Sequence, residues 1–365
     1  MFEATNTIAN LGCSILKHFG LHAVNDSLPA ADAALQKGHR NVVVLLLDAM
    51  GVHNMEQLLS REGFFFRHMA AEYSSVFPPT TASATTSLES GLFPAQHGWL
   101  GWTMFYPQLQ KNVGVFTNRD DDGLPAADFN AAPTFMPYEG VVERVAQAGF
   151  GAYRLQPFGD NKVETIRQMG QRLQQLCVLP GRKYIYAYWN QPDSAMHTYG
   201  VEREKVRSIL QDIEEAVEVF APLLEDTLLL ITADHGHIDA RGEVITDYPE
   251  LMDCLLRLPS IEARTLNFFV KPGREGDFSR LFHASFGQDF MLFSKEEALK
   301  KQLFGPSPLA QGLEDTLGAF VAVATTPCTL FNNHNQLEVL KGVHAGGMEE
   351  ERRIPLIVVE SREAR

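Results

Sequence analysis

No two cysteines in this chain lie close enough in sequence to form a CxxC or similar pair. Cys13, Cys177, Cys254 and Cys328 are spread along 365 residues. That spacing excludes zinc-finger and dithiol redox motifs, and widely separated thiols point to a reducing compartment. Positive charge is also scarce. With 31 Lys and Arg against 45 Asp and Glu, the formal net charge is -14, which argues against a broad basic footprint on duplex nucleic acid or an anionic membrane. No run of about 18 or more apolar residues is present. The first residues, MFEATNTIANLGCSILKHFGL, lack a basic segment followed by a continuous apolar one. The expectation is a cytoplasmic protein with no membrane partner. Internal repeats and low-complexity tracts are absent too.

What is present is a chain that is 45% hydrophobic and long enough to bury a large core. Strand-like runs at Asn41 to Leu47, Gly151 to Leu155, Tyr184 to Trp189, Leu228 to Thr232 and Pro355 to Val359 alternate with helical stretches. Such alternation predicts an α/β fold with a mostly parallel sheet covered on both faces. Ile8 to Phe19 has helical apolar spacing and reads as an amphipathic surface helix. Between His237 and His344 the alternation breaks, so residues 242–342 read as an inserted cap between core segments 1–241 and 343–365.

Four acid-and-histidine signals span the chain: LLLDAMG ending at Gly51, NQPDSAMH ending at His197, TADHGH ending at His237, and HAGGMEEE starting at His344. Asp48 closes an unbroken apolar run of the kind buried on both faces of a parallel sheet. In open α/β sheets, ligands gather beyond the carboxyl ends of the strands. By itself Asp48 suits a helix N-cap equally well. Asp234 and His235 follow a second such strand and can give one oxygen and one nitrogen to a single ion, with Gly236 permitting an unusual backbone. A helix starting near Pro192 places Asp193 and His197 one turn apart on the same face.

Between the first two signals lies FPPTTASATTSLESG, rich in small hydroxyl residues. Two-metal phosphoryl transfer uses a nucleophile held at one ion and a water at the other, and a threonine of this loop is the candidate. A helix beginning at Thr85 would aim its first amides at an anion. The plainer reading is a turn whose hydroxyls bond backbone.

Taken together, Asp48, a Thr-rich loop ending in SGLFPAQHG, PDSAMHTYG, ADHGH and a late histidine resemble the alkaline phosphatase superfamily. Within it, the similarity is to type I phosphodiesterases and nucleotide pyrophosphatases. The resemblance implies an α/β/α sandwich with a mostly parallel central sheet and an inserted cap. It further implies a hydrolase that cleaves phosphodiester or pyrophosphate bonds of a small-molecule phosphate ester, nucleotides among the candidates, through a covalent phospho-threonine. The nucleophile is the threonine ten positions before Gly91, which is Thr81, with Thr80 as its neighbour and fallback. Asp193, His197 and His344 are implied to bind one divalent ion, and Asp48, Thr81, Asp234 and His235 the other. Zinc is the expected metal, with manganese an alternative. His237 falls outside both sets and reads as an outer or structural histidine.

Two positions depart from the family pattern. Trp102 stands where an Asn contacts a phosphate oxygen, and Ala82 where an aromatic stacks on a base. Trp99, Trp102, Phe105 and Tyr106 offer either a replacement stacking surface or ordinary loop packing. Phosphomonoester or phosphonoacetate-type hydrolysis are the rival activities, and metal-dependent binding of a phospho-ligand without turnover is the rival class.

Overall fold

The computed structural model describes residues 5–159 and 162–361. Its centre is a six-stranded sheet in the order Met69–Ser74, Arg353–Ser361, Thr227–Thr232, Asn41–Leu47, Lys183–Trp189, Gly151–Leu155. Pairing is parallel between the last four, and only Arg353–Ser361 runs against its neighbours. The fold is therefore mixed α/β with a mostly parallel central sheet. Asn41–Leu47 is buried along its whole length, as its unbroken apolar sequence requires of a strand sandwiched between two helical layers.

The register decides where chemistry sits. Leu46 pairs with Thr232 and Leu47 with Trp189. The three strands thus end level, and Asp48, Asp193 and Asp234 emerge side by side from their carboxyl ends.

A second six-stranded sheet, with its own apolar core, combines Phe290–Ser294, Phe320–Ala324, Thr265–Phe268 and Ser260–Ile261 with Thr103–Tyr106 and Lys111–Gly114. Residues 103–114, which the sequence boundaries assign to the first part of the core, thus share a sheet with strands from the 242–342 segment. Antiparallel pairing of Ile261 with Thr103 makes that join, and a pairing 158 positions apart leaves no local trace in sequence.

One expectation is corrected. The Ile8–His18 helix is not a surface helix, since Ile8 through Leu16 are all buried. It packs on the Thr81–Ser90 helix so closely that a Cβ on Gly12 would lie 2.4 Å from the Leu88 carbonyl. Its apolar residues looked like one stripe because the rest of the buried surface is Gly12, at the close contact, and the polar Asn10 and Ser14, which are satisfied by hydrogen bonds to Thr7, Asp26 and Leu28.

Candidate active site

Asp48 leaves its strand through Ala49, which holds a left-handed φ of 62°. For a residue with a Cβ that conformation costs about 1–2 kcal/mol. It is held by a hydrogen bond from the Ala49 amide to Asp234 Oδ1 at 3.0 Å, which locks the two acid-bearing turns together. Gly51 and Gly236 make the approach possible: a Cβ on Gly51 would sit 2.6 Å from Gly236 Cα. Gly236 is thus needed for space, since a Cβ there would meet the Glu350 carbonyl at 2.3 Å. Asp48, Asp234 and His235 bring one donor atom each within 4.8 Å of one another.

The threonine-rich segment is helical from Thr81, with Thr80 as N-cap, four residues earlier than a start at Thr85. Pro78 and Pro79 stop the helix from extending further back. At the first helical position, Thr81 Oγ1 lies 3.5 Å from Asp48 Oδ2 and 3.3 Å from His235 Nε2. Thr80 turns away and donates to Glu262 Oε1 at 2.6 Å.

Asp193 opens the Asp193–Tyr199 helix, with His197 one turn on. His344 arrives from a loop after Gly342–Val343. Asp193 Oδ1 is met by His237 Nε2 at 2.8 Å, His197 Nε2 at 3.4 Å and His344 Nε2 at 4.0 Å. The Nδ1 atoms of His197 and His344 bond the carbonyls of Gly342 at 2.9 Å and Pro79 at 3.3 Å, which leaves each Nε2 free to face inwards. His237, read from sequence as an outer residue, belongs to this group by position. The only signal in sequence was its place in the same short turn as Asp234 and His235.

Burial pushes the Asp48 carboxyl well above its usual range, and the Asp234 and Asp193 carboxylates add to the rise. The Tyr188 hydroxyl donates to Asp48 Oδ2 and opposes it. Asp193 is half-buried, and His197, His237 and His344 outweigh its desolvation and hold its carboxyl low. Asp48 Oδ1 and Asp234 Oδ2 are buried with no hydrogen-bond partner in the protein. Unpaired buried carboxylate oxygens are costly unless a cation meets them. Acid-plus-imidazole donors suit borderline divalent ions, so both groups fit a metal. They adjoin one another: the His235 and His344 rings stack at 3.9 Å.

This arrangement makes the metal-free protein sensitive to acid. Burial lowers His97 and His237 to about 3, and holds His344 well below its usual value. A depressed imidazole binds fewer protons folded than unfolded, so its contribution rises with pH up to the unfolded value near 6.5. Asp48, raised when folded, acts in the opposite direction. The three strongly depressed imidazoles predict a lower melting temperature at pH 5 than at pH 7 without metal, an effect reduced in part by Asp48 and by the other carboxyls that burial raises, Glu89, Asp121, Glu214 and Glu262. Asp48→Asn is expected to steepen that loss, and an unchanged slope in this variant would count against the assigned environment.

A cleft of ≈ 1060 Å³ opens onto Asp48, Thr81 and Asp193. Trp102, 46% exposed, meets Phe116 edge-on at 5.8 Å at its wall. Trp99 also lines the cleft but is anchored through its indole N–H to the Met136 carbonyl at 2.9 Å. Phe105 and Tyr106 do not reach it. Phe105 packs on Phe269 beneath Arg257, and Tyr106 is fully buried. Arg154 is the one lysine or arginine among the described lining residues, and it is paired to Glu89 and Glu143.

The profile of the type I phosphodiesterase/nucleotide pyrophosphatase family matches residues 42–267. The chain belongs to this family. Its members are metal-dependent phosphodiesterase and pyrophosphatase hydrolases. Among solved structures, an inactive variant of murine ectonucleotide pyrophosphatase/phosphodiesterase 5 in complex with AMP superposes with TM-score 0.65 at 17% identity, over 89% of this chain and 91% of that one. The human counterpart gives 0.67 at 15% identity, covering 89% and 91%. Phosphonoacetate hydrolase from Sinorhizobium meliloti, bound to phosphonoformate, gives 0.63 at 16% identity, covering 88% and 91%. No curated protein sequence matches the chain significantly. These likenesses support the phosphodiesterase-family fold, and every acid and histidine singled out from the sequence lies in one of its two metal-type clusters. Among the described residues, no helix is long and apolar enough to cross a membrane.

Proposed function

We propose that this phosphodiesterase-family protein hydrolyses phosphodiester or pyrophosphate bonds of a small-molecule phosphate ester, with Thr81 as nucleophile. The observation that carries the reading is the place of Thr81 Oγ1, at a helix start and between Asp48 and His235. Asp48, Asp234, His235 and Thr81 would hold one divalent ion, and Asp193, His197 and His344 the other. Zinc suits these donors, and manganese is accepted by the same set. Once bound, two such ions neutralise phosphoryl charge and lower the pKa of the attacking hydroxyl and water.

Thr81 Oγ bonds to phosphorus as the bond to the leaving oxygen breaks, giving a phospho-threonine. Water then takes the phosphoryl group and restores the hydroxyl. Tyr188 fixes the Asp48 carboxylate beside the hydroxyl, and the helix start points backbone amides at the phosphoryl oxygens. The charge around the site favours diesters. A monoester carries a second negative charge, and the cleft's Arg154 is already paired to two carboxylates. Trp102 offers a face to a planar leaving group in place of the Asn of relatives. A phosphonate substrate is the second reading, supported by the phosphonoacetate hydrolase likeness.

The test is turnover of bis-p-nitrophenyl phosphate against p-nitrophenyl phosphate by metal-stripped protein, with zinc or manganese restored. Diester preference regained with metal is the expected result, and Trp102→Ala should raise KM several-fold with kcat nearly unchanged. Monoester preference would replace this reading with a phosphatase. Metal binding without either activity would favour a phosphonate or a non-catalytic role.

A further inference from the structure

The family resemblance gives three protein ligands to the ion at Asp193. Resting on the two-metal reading above, we propose that His237 is its fourth, so that Asp193, His197, His237 and His344 form a four-ligand site.

Geometry carries the proposal. Zinc–nitrogen and zinc–oxygen bonds of about 2.0–2.1 Å in a tetrahedron place the donor atoms about 3.3–3.4 Å apart. Asp193 Oδ1 lies 2.8, 3.4 and 4.0 Å from the Nε2 atoms of His237, His197 and His344. These separations scatter around that edge, with His237 the nearest of the three. Ring placement agrees. Three imidazoles bound through Nε2 to one tetrahedral ion have centroids about 5 Å apart, splayed rather than stacked. His197 to His237 is 4.5 Å at 78°, His237 to His344 is 4.9 Å at 54°, and His197 to His344 is 5.2 Å at 55°. His237 is as much a member of the triangle as the other two.

A bystander histidine that merely orients Asp193 needs only the 2.8 Å contact. It has no reason to complete a symmetric triangle around the same point. The position is also fixed from behind. The His237 amide donates to Asn54 Oδ1 at 2.9 Å, and the Asn54 amide nitrogen donates to the His237 carbonyl at 2.9 Å. Gly342 leaves room for the ring, since a Cβ there would lie 2.8 Å from His237 Nδ1.

The two ion sites then differ in kind. The one at Asp193 would have four protein donors and admit the attacking water by expanding to five-coordinate, whereas the one at Asp48 has three and the reacting hydroxyl. The first equivalent of zinc should therefore settle at Asp193.

The deciding experiment is a crystal structure of the full chain with one equivalent of zinc, located by anomalous scattering. His237 Nε2 at about 2.0–2.1 Å from the ion is the expected result. An ion bound by Asp193, His197 and His344, with His237 beyond about 3 Å and still on Asp193 Oδ1, would overturn the proposal while leaving the two-metal reading intact. Failure of the wild-type chain to bind zinc would overturn both. Chelator competition gives a second readout. His237→Ala and His237→Gln should both weaken one ion by more than the about 10–100-fold typical of losing an outer partner. The glutamine amide can replace the hydrogen bond to Asp193 but not the imidazole, so wild-type affinity in His237→Gln would reduce His237 to an orienting residue.

Discussion

Thr81→Ala is expected to abolish turnover, by a factor on the order of 10⁴ or more, while both ions stay bound and the melting temperature barely moves. The threonine hydroxyl is one donor beside three stronger ones, Asp48, Asp234 and His235. On the proposed mechanism its loss removes the nucleophile without emptying the site. Thr80→Ala should be far milder. It deletes the hydrogen bond to Glu262, worth about 0.5–1.5 kcal/mol, hence about a tenfold effect if the whole of it reaches the transition state. Burst kinetics with a p-nitrophenyl diester, run beside metal analysis, separate the two variants. If Thr80→Ala proved the dead variant and Thr81→Ala the mild one, the nucleophile would have been placed one residue too late.

Arg264→Met is the substitution with the largest expected cost in stability. Arg264 and Glu351 are both fully buried and form a two-pronged ion pair with N–O distances of 2.8 Å. Arg264 also donates to the carbonyls of Thr326 and Cys328. Glu351 accepts the amides of Gly346 and Met348, so it shapes the loop that carries His344. Removing one partner leaves a carboxylate buried and uncompensated, a loss of about 3–5 kcal/mol. Adding Glu351→Leu should restore much of that stability, because an apolar pair avoids the desolvation. The double variant should nevertheless bind the ion at His344 more weakly, since the loop amides have lost their acceptor. Urea midpoints and metal titration on the same samples measure the two effects. Full recovery of metal affinity in the double variant would show that the pair only fills space.

The parts of the site that were legible in sequence are those set by local chemistry. Asp48 and Asp234 announce themselves because a fully buried strand must be apolar until it ends, so the first acid marks the end. Asp193 and His197 are one helical turn apart and need no partner to be seen together. Other features depend on contacts that sequence spacing does not encode. Arg264 and Glu351 are 87 positions apart, and each alone looks like a surface charge. His237 lay within view, but its role depends on His197 and His344 arriving from elsewhere. The choice between Thr80 and Thr81 came from family spacing, and the physical difference between them is that Thr80 is the cap whose side chain points to Glu262. Phe105 and Tyr106 were indistinguishable in sequence from Trp102. Strand pairing of Thr103–Tyr106 with the second sheet turns those two into core.

The clusters also join segments that are remote along the chain. His344 contacts the Pro79 carbonyl 265 positions away, and the Ala49 amide holds Asp234 across 185 positions. An ion bound to such donors acts as a reversible cross-link, closing loops that make up most of the polypeptide and removing conformational freedom from the unfolded chain, as a disulfide between the same segments would. Chain entropy and metal affinity are then linked. A denaturant that pulls the His344 loop away from the Asp193–Tyr199 helix has to strip the ion first, and refolding with metal present should close the longest loops earlier than refolding without it.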